Sequence, residues 1–296
     1  MDPILKALLG SWEWRPVVLL VLLGLGSLYS RGWWHLRRRG HSHLASGWRL
    51  AAYWGGIGVM GLALLSPIDT LQSFLFAVHM IQHELLMMVA PPLLLLANPF
   101  PFFLWSLPSR LRRAIGGLLV RKALFRRGLR FLTTPWGVWA LYVLTLWLWH
   151  LPTAYDAALR HQWLHDLEHL SFAGTAILFW WQVIGAAPQI HGLLGYGFRL
   201  VYLLAALAQN EILAVGISLS QSPLYPYYQG VPRLWGLSVL DDQRLGGAIM
   251  WIPGGMMYVL AVVILVAAWL NHEEKQMRQA ARARLRPQPP AISPPQ

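Results

Sequence analysis

The sequence predicts an all-α fold, a polytopic membrane helical bundle with about seven transmembrane helices, the N-terminus outside and the C-terminus inside. Three observations predict it. Mean hydropathy is +0.45, with 56% hydrophobic and 12% charged residues, and a soluble domain carries roughly twice that charged share. Seventeen tryptophans fit a chain with two membrane–water interfaces, where the amphipathic indole settles. Seven apolar stretches approach the roughly 20 residues that cross the hydrocarbon as a helix.

The first stretch, roughly 14–30, is followed by Arg31 and Arg37–Arg39, which act as a stop, and by no small-residue cleavage site. It reads as an uncleaved span. The second and third cover roughly 48–66 and 74–97, and the fourth, 136–150, is short. The fifth, sixth and seventh cover roughly 165–187, 198–219 and 247–270, the last containing a Pro253-Gly254-Gly255 break. Between spans three and four, residues 110–130 alternate basic clusters with Leu, Ile, Val and Phe. Such alternation predicts an amphipathic helix on the anionic inner surface, within an interfacial segment 108–132. Residues 1–275 form the membrane domain, and 276–296, Pro-rich from 283 onward, form a disordered inner tail. No internal repeat of the transporter kind is visible.

Charge sets the orientation. Nineteen of the 24 Lys and Arg residues fall on one side: Arg31, Arg37–Arg39 and Arg49; Arg110, Arg112, Arg113, Arg121, Lys122, Arg126, Arg127 and Arg130; Arg199; and Lys275, Arg278, Arg282, Arg284 and Arg286. Lys6, Arg15, Arg160, Arg233 and Arg244 are on the other. The basic side is the inner one. A net charge of +12 therefore reads as a topology signal, and nucleic-acid binding, which needs a basic soluble face, is excluded. The chain has no cysteine, which removes disulfides, thiolate metal sites and cysteine nucleophiles.

Two histidine clusters lie inside the apolar runs: His79-Met-Ile-Gln-His83-Glu84 and His161-Gln-Trp-Leu-His165-Asp-Leu-Glu168-His169. Ionisable groups are costly in a bilayer and mark sites facing the protein interior. The i, i+4 and i, i+4, i+8 spacings put each set on one helical face. With the orientation above, spans three and five place these histidines at similar depth below the outer surface. Span four ends at His150, and span six brings Asn210 and Glu211 about 12 Å below its outer end. Met87 continues the His79–His83 stripe at i+8, Met88 continues Met80 and Glu84, and Met250 lies near the outer start of span seven. Imidazole and thioether donors without thiolate favour copper, most naturally Cu(I). The metal candidates are therefore His79, His83, His165, His169, His150 and Met250, with Glu211, Asp242, Glu84 and His161 as outer groups that orient imidazoles or gate the site. Structural readings compete: a lone membrane histidine often bonds a neighbouring helix, Met fills core gaps, and Glu84, Glu168 and Glu211 could form a proton path.

The chain resembles the multi-span CtaG-type family of bacterial cytochrome c oxidase assembly factors. The resemblance rests on His79-Met-Ile-Gln-His83-Glu84-Leu-Leu-Met-Met with Ala90-Pro-Pro-Leu, on His150-Leu-Pro-Thr-Ala-Tyr-Asp156, on His161-x-x-x-His165-x-x-x-His169, and on Asp242-Gln-x-Leu-Gly-Gly-x-x-Met250-Trp-x-Pro-Gly. It covers most of residues 60–270 in order. It implies a multi-pass protein of the bacterial inner membrane that matures a heme-copper oxidase, supplying or holding its copper, with oxidase subunits and a separate periplasmic copper donor as partners.

A non-enzymatic metallochaperone is thus the leading expectation. The alternative is a heme b- or quinol-binding electron-transfer protein, since histidines on facing helices can ligate heme. A permease is disfavoured because polarity stops below the Glu211 layer. A hydrolase is disfavoured because the His-Glu-x-x-His motif and a Gly-rich phosphate loop are absent.

Overall fold

The computed structural model describes residues 10–120 and 123–284, and every regular element among them is helical. Lys6, Arg121, Lys122, Arg286 and the tail beyond 284 lie outside the described residues. In chain order the helices are α1 (Pro16–Arg38), α2 (Gly47–Leu65), α3 (Pro67–Leu71), α4 (Phe76–Glu84), α5 (Ala90–Leu96), α6 (Pro99–Ser106), α7 (Ser109–Leu118), α8 (Leu124–Leu132), α9 (Pro135–Trp149), α10 (Pro152–Arg160), α11 (Gln162–Ile184), α12 (Tyr196–Ser218), α13 (Val239–Ile249) and α14 (Gly255–Arg284). Proline opens five of them (α1, α3, α6, α9 and α10), fills the second and third positions of α5, and starts a 3-10 turn at Pro226–Gln229, using the first turn, where its missing N–H leaves no bond unmade.

Among the described residues, five continuous helical stretches are long and apolar enough to cross a membrane: Pro16–Arg38, Gly47–Leu71, Phe76–Leu96, Tyr196–Ser218 and Val239–Arg282. Leu124–Leu132 with Pro135–Trp149, bent by 48° at their junction, would make a sixth. The expected fifth span is α11, whose 23 residues reach about 34 Å. His165, Asp166, Glu168 and His169 lower the hydropathy of its first half, so length alone qualifies it. The expected seventh span begins earlier than the apolar run, because Val239–Ile249 is already helical. Its helix continues to Arg284, past residue 275. The basic interfacial segment is two short helices, α7 and α8, rather than one. Leu124, Phe131 and Leu132 stand 73–80% exposed on α8.

The expected break at Pro253-Gly254-Gly255 proves to be a π-helical turn inside a continuing helix, Met250–Gly254, and a second such turn, Leu85–Val89, lies within the third span. Pro91 and Pro253 explain them, since each removes a backbone donor and crowds the preceding turn. A membrane leaves no water to satisfy the released groups, so protein donors must. Trp180 Nε1 donates to the Met87 carbonyl at 2.9 Å, and Asn210 Nδ2 donates to the Met250 carbonyl at 3.1 Å. The Leu85–Val89 turn also breaks the 3.6-residue register on which the Met87 extension of the histidine stripe relied. Met87 and Met88 are buried in the core.

Among the described residues, packing forms two apolar clusters. The smaller joins α1, α2 and α6 around Tyr29, which stacks on Tyr53 with centroids 3.9 Å apart and donates to the Ala97 carbonyl at 3.1 Å. The larger joins α4, α5, α9, α11, α12, α13 and α14. The polar cluster lies where α4, α9, α10 and α11 meet.

Candidate metal centre

Helix α4 delivers His79 and His83 one turn apart, and α11 delivers His165, Glu168 and His169. His150 comes from the C-terminal end of α9. Side chains four residues apart share a helical face, and here the two faces meet. Ring centroids are 4.3 Å apart for His79–His83, 4.1 Å for His165–His169, 5.2 Å for His79–His165 and 5.5 Å for His83–His169. His150 approaches His83 at 6.0 Å. Glu168 is fully buried between them, one oxygen 3.6 Å from His83 Nε2 and the other 3.9 Å from His79 Nε2. One donor atom each from His79, His83, Glu168 and His169 lie within 4.8 Å of one another.

Hydrogen bonds orient the rings and leave the centre bare. His150 Nδ1 lies 2.8 Å from the Leu146 carbonyl. A carbonyl can only accept, so Nδ1 carries the proton and Nε2 keeps its lone pair. His79 Nδ1 lies 2.6 Å from the Tyr155 hydroxyl, which lies 3.2 Å from the Tyr228 hydroxyl, which donates to the Gln72 carbonyl at 2.9 Å. Burial raises both tyrosines well above the ordinary phenol value, so both stay protonated. Tyr228 commits its one proton to Gln72. The chain His79 Nδ1–H to Tyr155 to Tyr228 to Gln72 then satisfies every hydroxyl and frees His79 Nε2. Among the described residues His79 Nε2, both ring nitrogens of His83 and His169, the Nε2 atoms of His150 and His165, and both Glu168 oxygens have no hydrogen-bond partner.

A model of the family described as cytochrome c oxidase caa3 assembly factor (Caa3_CtaG) matches residues 27–272. The chain belongs to the Caa3_CtaG family. It is 26% identical over 276 residues to uncharacterized proteins of Mycobacterium bovis and Mycobacterium tuberculosis, covering 92% of this chain and 41% of each relative. An uncharacterized Mycobacterium leprae protein is 25% identical over 272 residues, 89% of this chain and 40% of its own length. The chain therefore spans about two fifths of the curated relatives it matches. No solved structure matches it.

In this Caa3_CtaG member, five of the six expected metal ligands converge: His79, His83, His150, His165 and His169. Met250 is buried in the larger apolar cluster, where its carbonyl takes the Asn210 bond. Of the expected outer groups, Asp242 has a different partner set. Its carboxylate accepts from the Phe76 and Ala77 amides at 2.9 and 3.1 Å and pairs with Arg233 at 3.1 Å. It therefore anchors the start of the helix that carries His79, where an acid caps amides and complements the dipole. Glu84 and Glu211 lie against Gly254 and Gly255 of the last span. His161 is exposed at the start of α11.

Sequence reasoning placed Glu168 among proton-path or outer groups, whereas it sits inside the imidazole ring. Its position three residues after His165 and one before His169 was the available signal. Tyr155 and Tyr228 had no periodic signal, because their roles arise from long-range contact. Asp69, which the histidine motifs do not point to, lies inside α3 and is buried, with Gln82 Nε2 donating to its Oδ1 at 2.7 Å.

The donor set fits a cation. Unpaired buried polar atoms are costly, and here they share one point, with a carboxylate to offset positive charge. Imidazoles with one carboxylate and no thiolate suit copper or zinc.

Proposed function

We propose that this chain is a non-catalytic assembly factor of the bacterial inner membrane that carries copper in the His79–His83–Glu168–His169 pocket and delivers it to a heme-copper oxidase. Family membership supports the assembly role. The single observation supporting a copper cargo is the convergence of partnerless, buried imidazole nitrogens from α4, α9 and α11. His79, His83, His169 and Glu168 would hold the ion, His150 and His165 would flank it, and Tyr155 would fix the His79 tautomer. The positive-inside pattern favours a pocket near the periplasmic end, where a copper donor and an oxidase subunit docked in the membrane would meet it.

Heme b is the competing cargo. The imidazole centroids stand 4.1–6.0 Å apart in mutual contact, a spacing that suits one small ion better than a macrocycle inserted between rings. Purified protein should bind about one Cu(I) and show no Soret band. A His83→Ala/His169→Ala variant should lose the copper; undiminished stoichiometry in that variant would defeat the proposal.

A further inference from the structure

Resting on the copper reading above, we propose that Asp69, His165 and His169 form a second, shallower copper station, through which the ion passes to or from the deeper pocket. One donor atom each from these three residues lie within 4.8 Å of one another. All three are buried, at 6%, 3% and 4% exposure. His165 Nε2 and both nitrogens of His169 lack a hydrogen-bond partner among the described residues. The Asp69 carboxylate is held in place, because Gln82 Nε2 donates at once to its Oδ1 and to the Ala63 carbonyl at 2.8 Å. That clamp is the kind of outer-sphere bond that aims a metal-binding carboxylate.

His169 belongs to both donor sets, and this makes them successive. An ion held by Asp69, His165 and His169 can release the first two in exchange for His79, His83 and Glu168 while His169 stays bound. Every intermediate arrangement keeps at least one imidazole on the metal, and the exchange needs no oxidant or reductant. The two sets also differ in chemistry. The shallow one has two imidazoles and a carboxylate, the deep one three imidazoles and a carboxylate. Imidazole-rich sets hold copper better than oxygen-rich ones, so the gradient runs inward.

A route to the shallow set exists. A groove of about 700 Å³ between α1, α2 and α11 reaches His169, the residue the two sets share, and Trp14, Arg15, Asp166 and Leu170 line it too. Arg15 and Asp166 are ion-paired there, their side chains 23% and 45% exposed. Arg15 and Asp166 share the groove wall with His169, and Asp166 directly follows His165 in α11, which sets the ion pair beside the Asp69–His165–His169 group.

The test uses the full chain in detergent, titrated anaerobically with Cu(I) against a chromophoric chelator. His79→Ala/His83→Ala removes the deep set only. It should still bind copper with affinity lowered roughly tenfold or more, and adding Asp69→Asn should abolish that residual binding. Asp69→Asn alone should load copper more slowly than wild type in stopped flow while reaching the same final stoichiometry. Residual binding indifferent to Asp69→Asn, or complete loss of copper in a folded His79→Ala/His83→Ala protein, would overturn the shallow station while leaving the deep one standing. Wild-type affinity in His79→Ala/His83→Ala would instead overturn the deep pocket.

Discussion

At the scale of the residue, orientation of the imidazoles by their neighbours is as informative as their number. His150 is fixed by a backbone carbonyl one turn back, and His79 by a tyrosine from a different segment. Tyr155→Phe removes the partner that keeps the proton on His79 Nδ1 while preserving the ring packing. Copper affinity should fall about 10- to 100-fold, the usual effect of losing such an outer bond, and the buried His79 Nδ1–H left without its acceptor should cost about 1–3 kcal/mol; competition titration checks the first and a thermal melt the second. Asp242→Ala should act on the fold rather than on the metal. It leaves two α4 amides uncapped and Arg233 without its carboxylate, costing about 2 kcal/mol or more, visible as a lowered melting temperature in detergent. The histidines themselves were legible in the sequence, because i, i+4 spacing inside an apolar run has one geometric meaning. Asp242 was legible as important and misassigned in role, since nothing local shows that its partners are the Phe76 and Ala77 amides 166 and 165 positions away.

Helices were legible to within a few residues wherever hydropathy alone defines them, as for α2 and α12, whereas α1 runs on past the expected end at 30 to Arg38, because arginine is a good helix former and does not stop the backbone. They were less so where backbone chemistry intervenes. Pro253 signalled irregularity and Pro91 did not, and whether a helix stops or continues through a π turn depends on Asn210 and Trp180, which lie on other elements. Trp180→Phe keeps the aromatic volume and removes the donor to the Met87 carbonyl. A buried unpaired carbonyl costs about 1–3 kcal/mol, so this variant should melt earlier than wild type. Close approaches between helices carry equal weight. A Cβ on Gly32 would stand 1.8 Å from the Phe102 backbone oxygen, a position no rotamer change relieves, so Gly32→Ala should separate α1 from α6 and abolish recovery of folded protein from membranes. Recovery at wild-type yield would show that the α1–α6 contact is dispensable.

For the whole molecule, the governing asymmetry is chemical. Arginine-rich connections gather at one end, and the imidazole pocket lies towards the other. The absence of native cysteine makes the orientation directly measurable. Trp163→Cys, on the pocket side, should react with a membrane-impermeant maleimide added to intact spheroplasts, and Arg127→Cys should react only after lysis. The reverse pattern would place the pocket on the cytoplasmic side. The convergence itself was legible only as an expectation, because sequence periodicity gives faces and depths but not which faces meet. X-ray absorption at the copper edge tests the central claim most directly. The copper-loaded chain should show nitrogen-dominated scattering with the outer-shell pattern of several imidazoles, and His83→Ala/His169→Ala should lose both pattern and metal. A copper environment without imidazole scattering, or one identical in that double variant, would contradict the account.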